Sequence, residues 1–202
     1  MAIHWPMALP SPITSITIFW RGGPVGGGAE ATLTDIPAPL NRGPVGEFEN
    51  QLSLGSFTLQ GEAEENNGVY TVTGGGEDIW GSYDQGHFVY KEMSGAFEAE
   101  AQVFPTMPST NAWTKGGLMV REELGGSSPH GFALLKGNDP VEWHLAHRAT
   151  KGGGSTNSDG VAFIDTAEKI KIVKLGSLIQ SYYLDANEEW ILLSETNVEI
   201  DD

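Results

Sequence analysis

Four aromatic side chains and a few polar ones carry the chemistry this sequence can do. Trp80, Tyr83, Trp113 and Trp143 lie in or beside short alternating runs, with Asn111, Lys115 and Arg121 near them. An exposed ring stacks on the apolar face of a sugar, while amide, ammonium and guanidinium groups meet its hydroxyls. The same rings can instead fill a core. Arg121 also has two readings, a ligand contact or a buried pair with a carboxylate. If Lys115 already belongs to the strand that follows it, Lys115, Gly117, Met119 and Arg121 share one face.

Carboxylate catalysis is the rival chemistry. A retaining glycosidase needs two carboxyl groups within about 5–5.5 Å of each other. Glu98 and Glu100 share a strand face, but it is the face turned from the apolar one, and the surrounding residues predict no burial to set one carboxyl apart. Glu62, Glu64 and Glu65 read as a solvated acidic run. Five histidines are scattered at His4, His87, His130, His144 and His147, with no H-x-H or HExxH spacing, and His144 and His147 fall on opposite strand faces. A zinc site is not expected.

The elements that must position these groups are strands. His87–Tyr90, Ala96–Phe104 and Gly117–Glu122 alternate with period two, Phe97, Ala99, Ala101 and Val103 opposing Glu98, Glu100 and Gln102. That pattern suits antiparallel sheets with one face in water. Ile13–Trp20, Ala31–Ile36, Phe57–Leu59, Val69–Val72, Gly131–Leu135 and Val141–Arg148 read as further strands. Lys169–Lys174 and Leu178–Leu184 form a hairpin around Gly176-Ser177, and Trp190–Ser194 follows, with Val198–Ile200 as a short addition. One helical turn at Ile164–Lys169 is the most helix the pattern allows.

These runs carry a resemblance. GGGEDIWG (74–81), D-x-x-H-F-V-Y (84–90), SGAFEAEAQV (94–103), NAWTKGGLMVRE (111–122) and EKIKIVKLGSLIQSYYLDANEEW (168–190) resemble the regulation-of-enolase-like family, a former domain of unknown function within the concanavalin A-like lectin and glucanase superfamily. The likeness covers roughly residues 56–200. It implies an all-β fold, a two-sheet antiparallel jelly-roll sandwich, and members that are mostly non-catalytic or of unexplained function. The glucanase pattern E-x-D-x-x-E is missing. His87 and Arg121 stand at landmark positions, and His87 is expected to make a structural hydrogen bond near Asp84. Related sandwich lectins often hold calcium with loop oxygens. Asp78 and Asp84 are the candidates, with Asn111, Asp139 and Asp159 behind them, although no D-x-D-x-D-G loop is present. Otherwise no cofactor is expected. Two departures, Lys169 where an aromatic usually opens the strand and Ala186-Asn187 in place of Asp-Gly, weaken any ligand-binding edge at that end.

Composition sets the outer bounds. Acids outnumber bases, 27 to 11, for a formal charge of −16. Such a surface repels nucleic-acid phosphates and anionic lipid, so neither nucleic acid nor membrane is an expected partner. There is no cysteine, which removes thiolate metal sites and disulfides. The opening residues lack a basic n-region and are broken by Pro6, Pro10 and Pro12, so they do not read as a signal peptide, and the compartment stays open. Residues 1–46 are expected to form an N-terminal arm, for assembly or attachment or as a closing edge strand, ahead of a sandwich at 47–202. Two functions follow as expectations. One is a non-catalytic carbohydrate-binding module. The other is a structural subunit, a virion decoration, adhesin or filament component, whose partners are neighbouring subunits or copies of itself. Glycoside hydrolysis ranks third.

Overall fold

The computed structural model describes the backbone of residues 15–20 and, in full, residues 43–55, 61–74, 76–103, 113–137, 141–162 and 169–201. Its regular structure is all β, and the described residues contain no helix. In chain order the strands are β1 (Ser15–Trp20), β2 (Asn50–Leu54), β3 (Glu62–Asn66), β4 (Val69–Gly74), β5 (Ile79–Trp80), β6 (Tyr83–Asp84), β7 (Gly86–Tyr90) and β8 (Phe97–Gln102). Then come β9 (Thr114–Arg121), β10 (His130–Gly137), β11 (Glu142–Arg148), β12 (Thr156–Asn157), β13 (Val161–Ala162), β14 (Lys169–Leu175), β15 (Leu178–Leu184) and β16 (Trp190–Asn197).

Two larger sheets pack face to face in a β-sandwich-like arrangement. One has the order β12-β11-β10-β9, with β13 also on β11; the other runs β16-β15-β14-β8. Leu118, Val120, Ala133, Leu135, Trp143 and Leu145 of the first meet Ala99, Ala101, Ile170, Ile172 and Ile179 of the second. Alternation in Ala96–Phe104 works as expected: Ala99, Ala101 and Val103 are buried and Phe97 packs against them. Val45, on the arm side of the expected boundary, bridges to Phe48 and is buried in the same core.

The first sheet departs from expectation. Neither side of its central strand is open to water: all eight residues of β10 are buried. Ala133 and Leu135 face the large core, while Phe132 and Leu134 pack with Leu52 and Leu54 of β2, Ile79 of β5 and Tyr90 of β7. The β2–β7 and β5–β6 pairs thus form a second coat over β9–β11. The physical reason lies in HGFALLKG itself. It carries apolar residues at consecutive positions, the signature of a strand buried on both sides.

Three further differences stand out. β1 pairs with β4 in parallel, from Ser15 opposite Val69 to Trp20 opposite Gly74, whereas the other ladders are antiparallel. β2 was not expected, because NQLSL offers only two apolar residues. Val198–Ile200 is not a strand: Val198 N–H donates to Ser177 O and Glu199 N–H to Ala149 O, so the segment is tied to loops. The expected strands Ala31–Ile36 and Phe57–Leu59, the arm outside 15–20 and 43–46, and the helical turn up to residue 168 lie outside the described residues.

Candidate functional site

The register of β9, β10 and β11 lays four rows across the face that meets the second coat. They are Arg121–His130–Arg148, Met119–Phe132–Ala146, Gly117–Leu134–His144 and Lys115–Lys136–Glu142. The two middle rows are largely apolar. Charge is therefore segregated to the two ends of the face, and the ends do different work.

At the first end Asp84 is buried between two arginines. Arg148 donates to both its oxygens, Nη2 to Oδ1 at 2.6 Å and Nη1 to Oδ2 at 2.9 Å. Arg121 Nη2 reaches Oδ2 at 3.3 Å. The second positive charge is carried by carbonyls. Arg121 donates to Glu123 O and Gly125 O, and Arg148 to Gly81 O, Gly126 O, Ser128 O and Gly153 O. Burial pulls the Arg121 guanidinium below its usual range, with Asp84 opposing. His130 sits 3.4 Å from Asp84 Oδ2, and burial lowers its ring to about 4, so it is neutral at ordinary pH. This cluster clips together the loops after β5, β9 and β11.

Several expectations are corrected here. Asp84, named as a calcium ligand, is fully buried and turned to its arginines. Arg121 is a buried pair and not a ligand contact, with its side chain 2% exposed. The histidine beside Asp84 is His130. His87 instead meets Ser53 Oγ at 3.2 Å and Gln51 Oε1 at 3.0 Å, because β7 pairs with β2.

The other end is the candidate ligand platform. Trp80 and Trp113 are 39% and 45% exposed, which overturns their alternative reading as core residues. Lys115 lies beneath both, its Nζ 5.0 Å from the Trp80 centroid and 5.8 Å from that of Trp113. Lys136 Nζ lies 4.9 Å from the Trp113 centroid, and the His144 ring is 5.7 Å away. Each ammonium has its own carboxylate. Lys115 donates to Asp78 Oδ1 at 2.7 Å and to Ile79 O, and Lys136 to Glu142 Oε2 at 2.8 Å. The hydrogen bond from Lys136 holds the Glu142 carboxyl below its ordinary value. Lys115, expected as a ligand contact, is only 3% exposed and acts as a brace under the rings.

The remaining candidates separate. Tyr83 pairs with Trp80 across the β5–β6 turn and is 53% exposed, but its ring lies toward Gly126. Trp143 is fully buried in the large core, not on the platform. Asn111 and Asp139 lie outside the described residues. Asp159 joins no metal-ligating cluster, and no group of three or more such side chains occurs among the described residues. Glu98 and Glu100 are both taken up by Lys171, at 4.0 and 3.3 Å, on the open face of the other sheet.

Sequence reasoning missed Lys136, Glu142 and His144 as members of the platform. One signal could have found two of them. Lys136 and Glu142 are equidistant from the middle of the Asn138-Asp139-Pro140 turn, which places them opposite each other in an antiparallel hairpin. No family model matches the chain, and neither do the curated proteins or the solved structures.

Proposed function

We propose that this chain is a non-catalytic carbohydrate-binding module with a concanavalin A-like jelly-roll sandwich, and that glycans bind where Trp80 and Trp113 emerge. The observation that carries the reading is the braced pair of indoles. Two large apolar rings, 39% and 45% exposed, both have their centroids within 5.8 Å of one buried ammonium. Rings fixed in this way offer stacking area with little further loss of side-chain freedom on binding, which is what sugar recognition needs. Asp78 and Glu142 stand at the rim as acceptors for hydroxyl groups. The non-catalytic part of the reading rests on Glu98 and Glu100, which share a strand face yet are paired with one lysine.

The test is a polysaccharide array followed by calorimetric titration of the wild type and of Trp80→Ala and Trp113→Ala. Binding that drops at least tenfold in either variant supports the proposal. The absence of binding to any polysaccharide, or binding indifferent to both substitutions, refutes it.

A further inference from the structure

Resting on that reading, we infer that the platform selects uncharged, hydroxyl-rich glycans and rejects uronate- and sulfate-bearing ones. Three observations lead there. First, the four charged groups around the rings cancel. Lys115 is matched by Asp78 at 2.7 Å and Lys136 by Glu142 at 2.8 Å, so of these two lysines neither is left over to attract an anion.

Second, the members of each pair are unequal in reach. The lysine side chains are 3% and 8% exposed, whereas Asp78 is 40% and Glu142 25% exposed. A ligand lying on Trp80 and Trp113 therefore meets carboxylates and not ammoniums. Each lysine has tied up one oxygen of its partner, Asp78 Oδ1 and Glu142 Oε2. Asp78 Oδ2 and Glu142 Oε1 show no hydrogen bond to the described residues. A carboxylate oxygen accepts from a hydroxyl and cannot donate to a sulfate or a uronate, so the rim suits sugar hydroxyls and offers nothing to an anionic substituent.

Third, the approach is governed by the same sign. The chain carries a formal −16, which opposes any polyanion before contact. A neutral polymer feels no such field, and its affinity is then nearly independent of ionic strength.

The experiment uses the full chain and a panel in two halves. Mixed-linkage β-glucan, galactomannan and arabinoxylan form the neutral half; polygalacturonate, alginate and chondroitin sulfate form the acidic half. Each is titrated at about 20 and 300 mM NaCl, a range that spans strong to weak screening. The expected result is binding within the neutral half that changes less than twofold with salt and falls at least tenfold in Trp113→Ala. Acidic polymers are expected to bind at least tenfold more weakly, and Asp78→Asn with Glu142→Gln to narrow that gap. An acidic polymer that binds as well as or better than the neutral ones, through Trp113, overturns the selectivity and leaves the carbohydrate reading standing. No binding by either half overturns the carbohydrate reading itself. The wild-type salt series decides between these even if the double variant folds poorly.

Discussion

Arg148 and Asp84 meet as two planar groups, Nη2 on Oδ1 at 2.6 Å and Nη1 on Oδ2 at 2.9 Å, with both side chains at zero exposure. The pair is 64 residues apart in sequence and anchors the ends of three loops. Asp84→Asn keeps the shape and removes the charge beneath two guanidiniums. Breaking a buried pair by losing one partner costs about 3–5 kcal/mol. Denaturant unfolding should show a loss of that size, and hydrogen exchange should rise in the segments around Gly81, Gly126 and Gly153. A loss under about 1 kcal/mol would mean that the carbonyls alone hold the arginines.

His130 gives the cluster a pH dependence with a definite sign. Its ring titrates at about 4 in the folded chain against 6.5 in the unfolded one. Between those values the unfolded state takes up a proton that the folded state refuses. The contribution is complete above 6.5 and drains away as pH falls toward 4, by on the order of 3 kcal/mol. Asp84, Arg121 and Arg148 are the charged groups facing the ring. Unfolding midpoints measured from pH 7 to 4 should fall steeply in the wild type and more gently in His130→Gln. Parallel curves would show that the histidine is not the titrating group.

Two tryptophans should respond very unequally to truncation. Trp143 is wholly buried, so Trp143→Ala should cost about 3–5 kcal/mol. Trp113 is 45% exposed, and Trp113→Ala loses a contact with Lys136 worth about 0.5–1 kcal/mol. Thermal melts would separate the two directly. Equal losses would remove the distinction between core ring and platform ring.

Gly117 is a packing requirement. A Cβ there would lie 2.1 Å from Ala133 O and 2.8 Å from Leu134 Cα, both backbone atoms that cannot step aside cheaply. Gly117→Ala should destabilise by about 1–3 kcal/mol. Gly154→Ala, where nothing lies within 4 Å, serves as the comparison and should be close to neutral. Indistinguishable urea midpoints for the two would show that β9 and β10 can part there without penalty.

Local pattern was legible wherever one neighbour decides the outcome. The hairpin around Gly176-Ser177 is β14 and β15, with Gly176 at φ +58° and Leu175 opposite Leu178. The buried side of Ala99, Ala101 and Val103 followed from alternation alone. What could not be read was which strands share a face. Trp80, Trp113 and Trp143 are the same residue type in similar runs, yet only Trp143 points into the large core, because the coat over β9–β11 comes from residues far upstream. Asp84 looked like a loop oxygen because its partners lie 37 and 64 positions away. Both errors share a cause, since non-local pairing leaves no periodic trace in the segment that receives it.

β10 stands mid-chain, with Leu52, Leu54 and Tyr90 covering one side and Ile172 and Ile179 of β14 and β15 covering the other. During synthesis the amino-terminal cover leaves the ribosome first and the carboxy-terminal one last. A nascent chain that has reached Arg148 therefore holds Leu135 and Trp143 only partly covered, by upstream residues such as Ala99 and Ala101, until Ile170, Ile172 and Ile179 are made. Such a half-dressed intermediate is prone to stick to its neighbours, so this molecule should depend on chaperones while it is being translated and release them only once β15 has emerged.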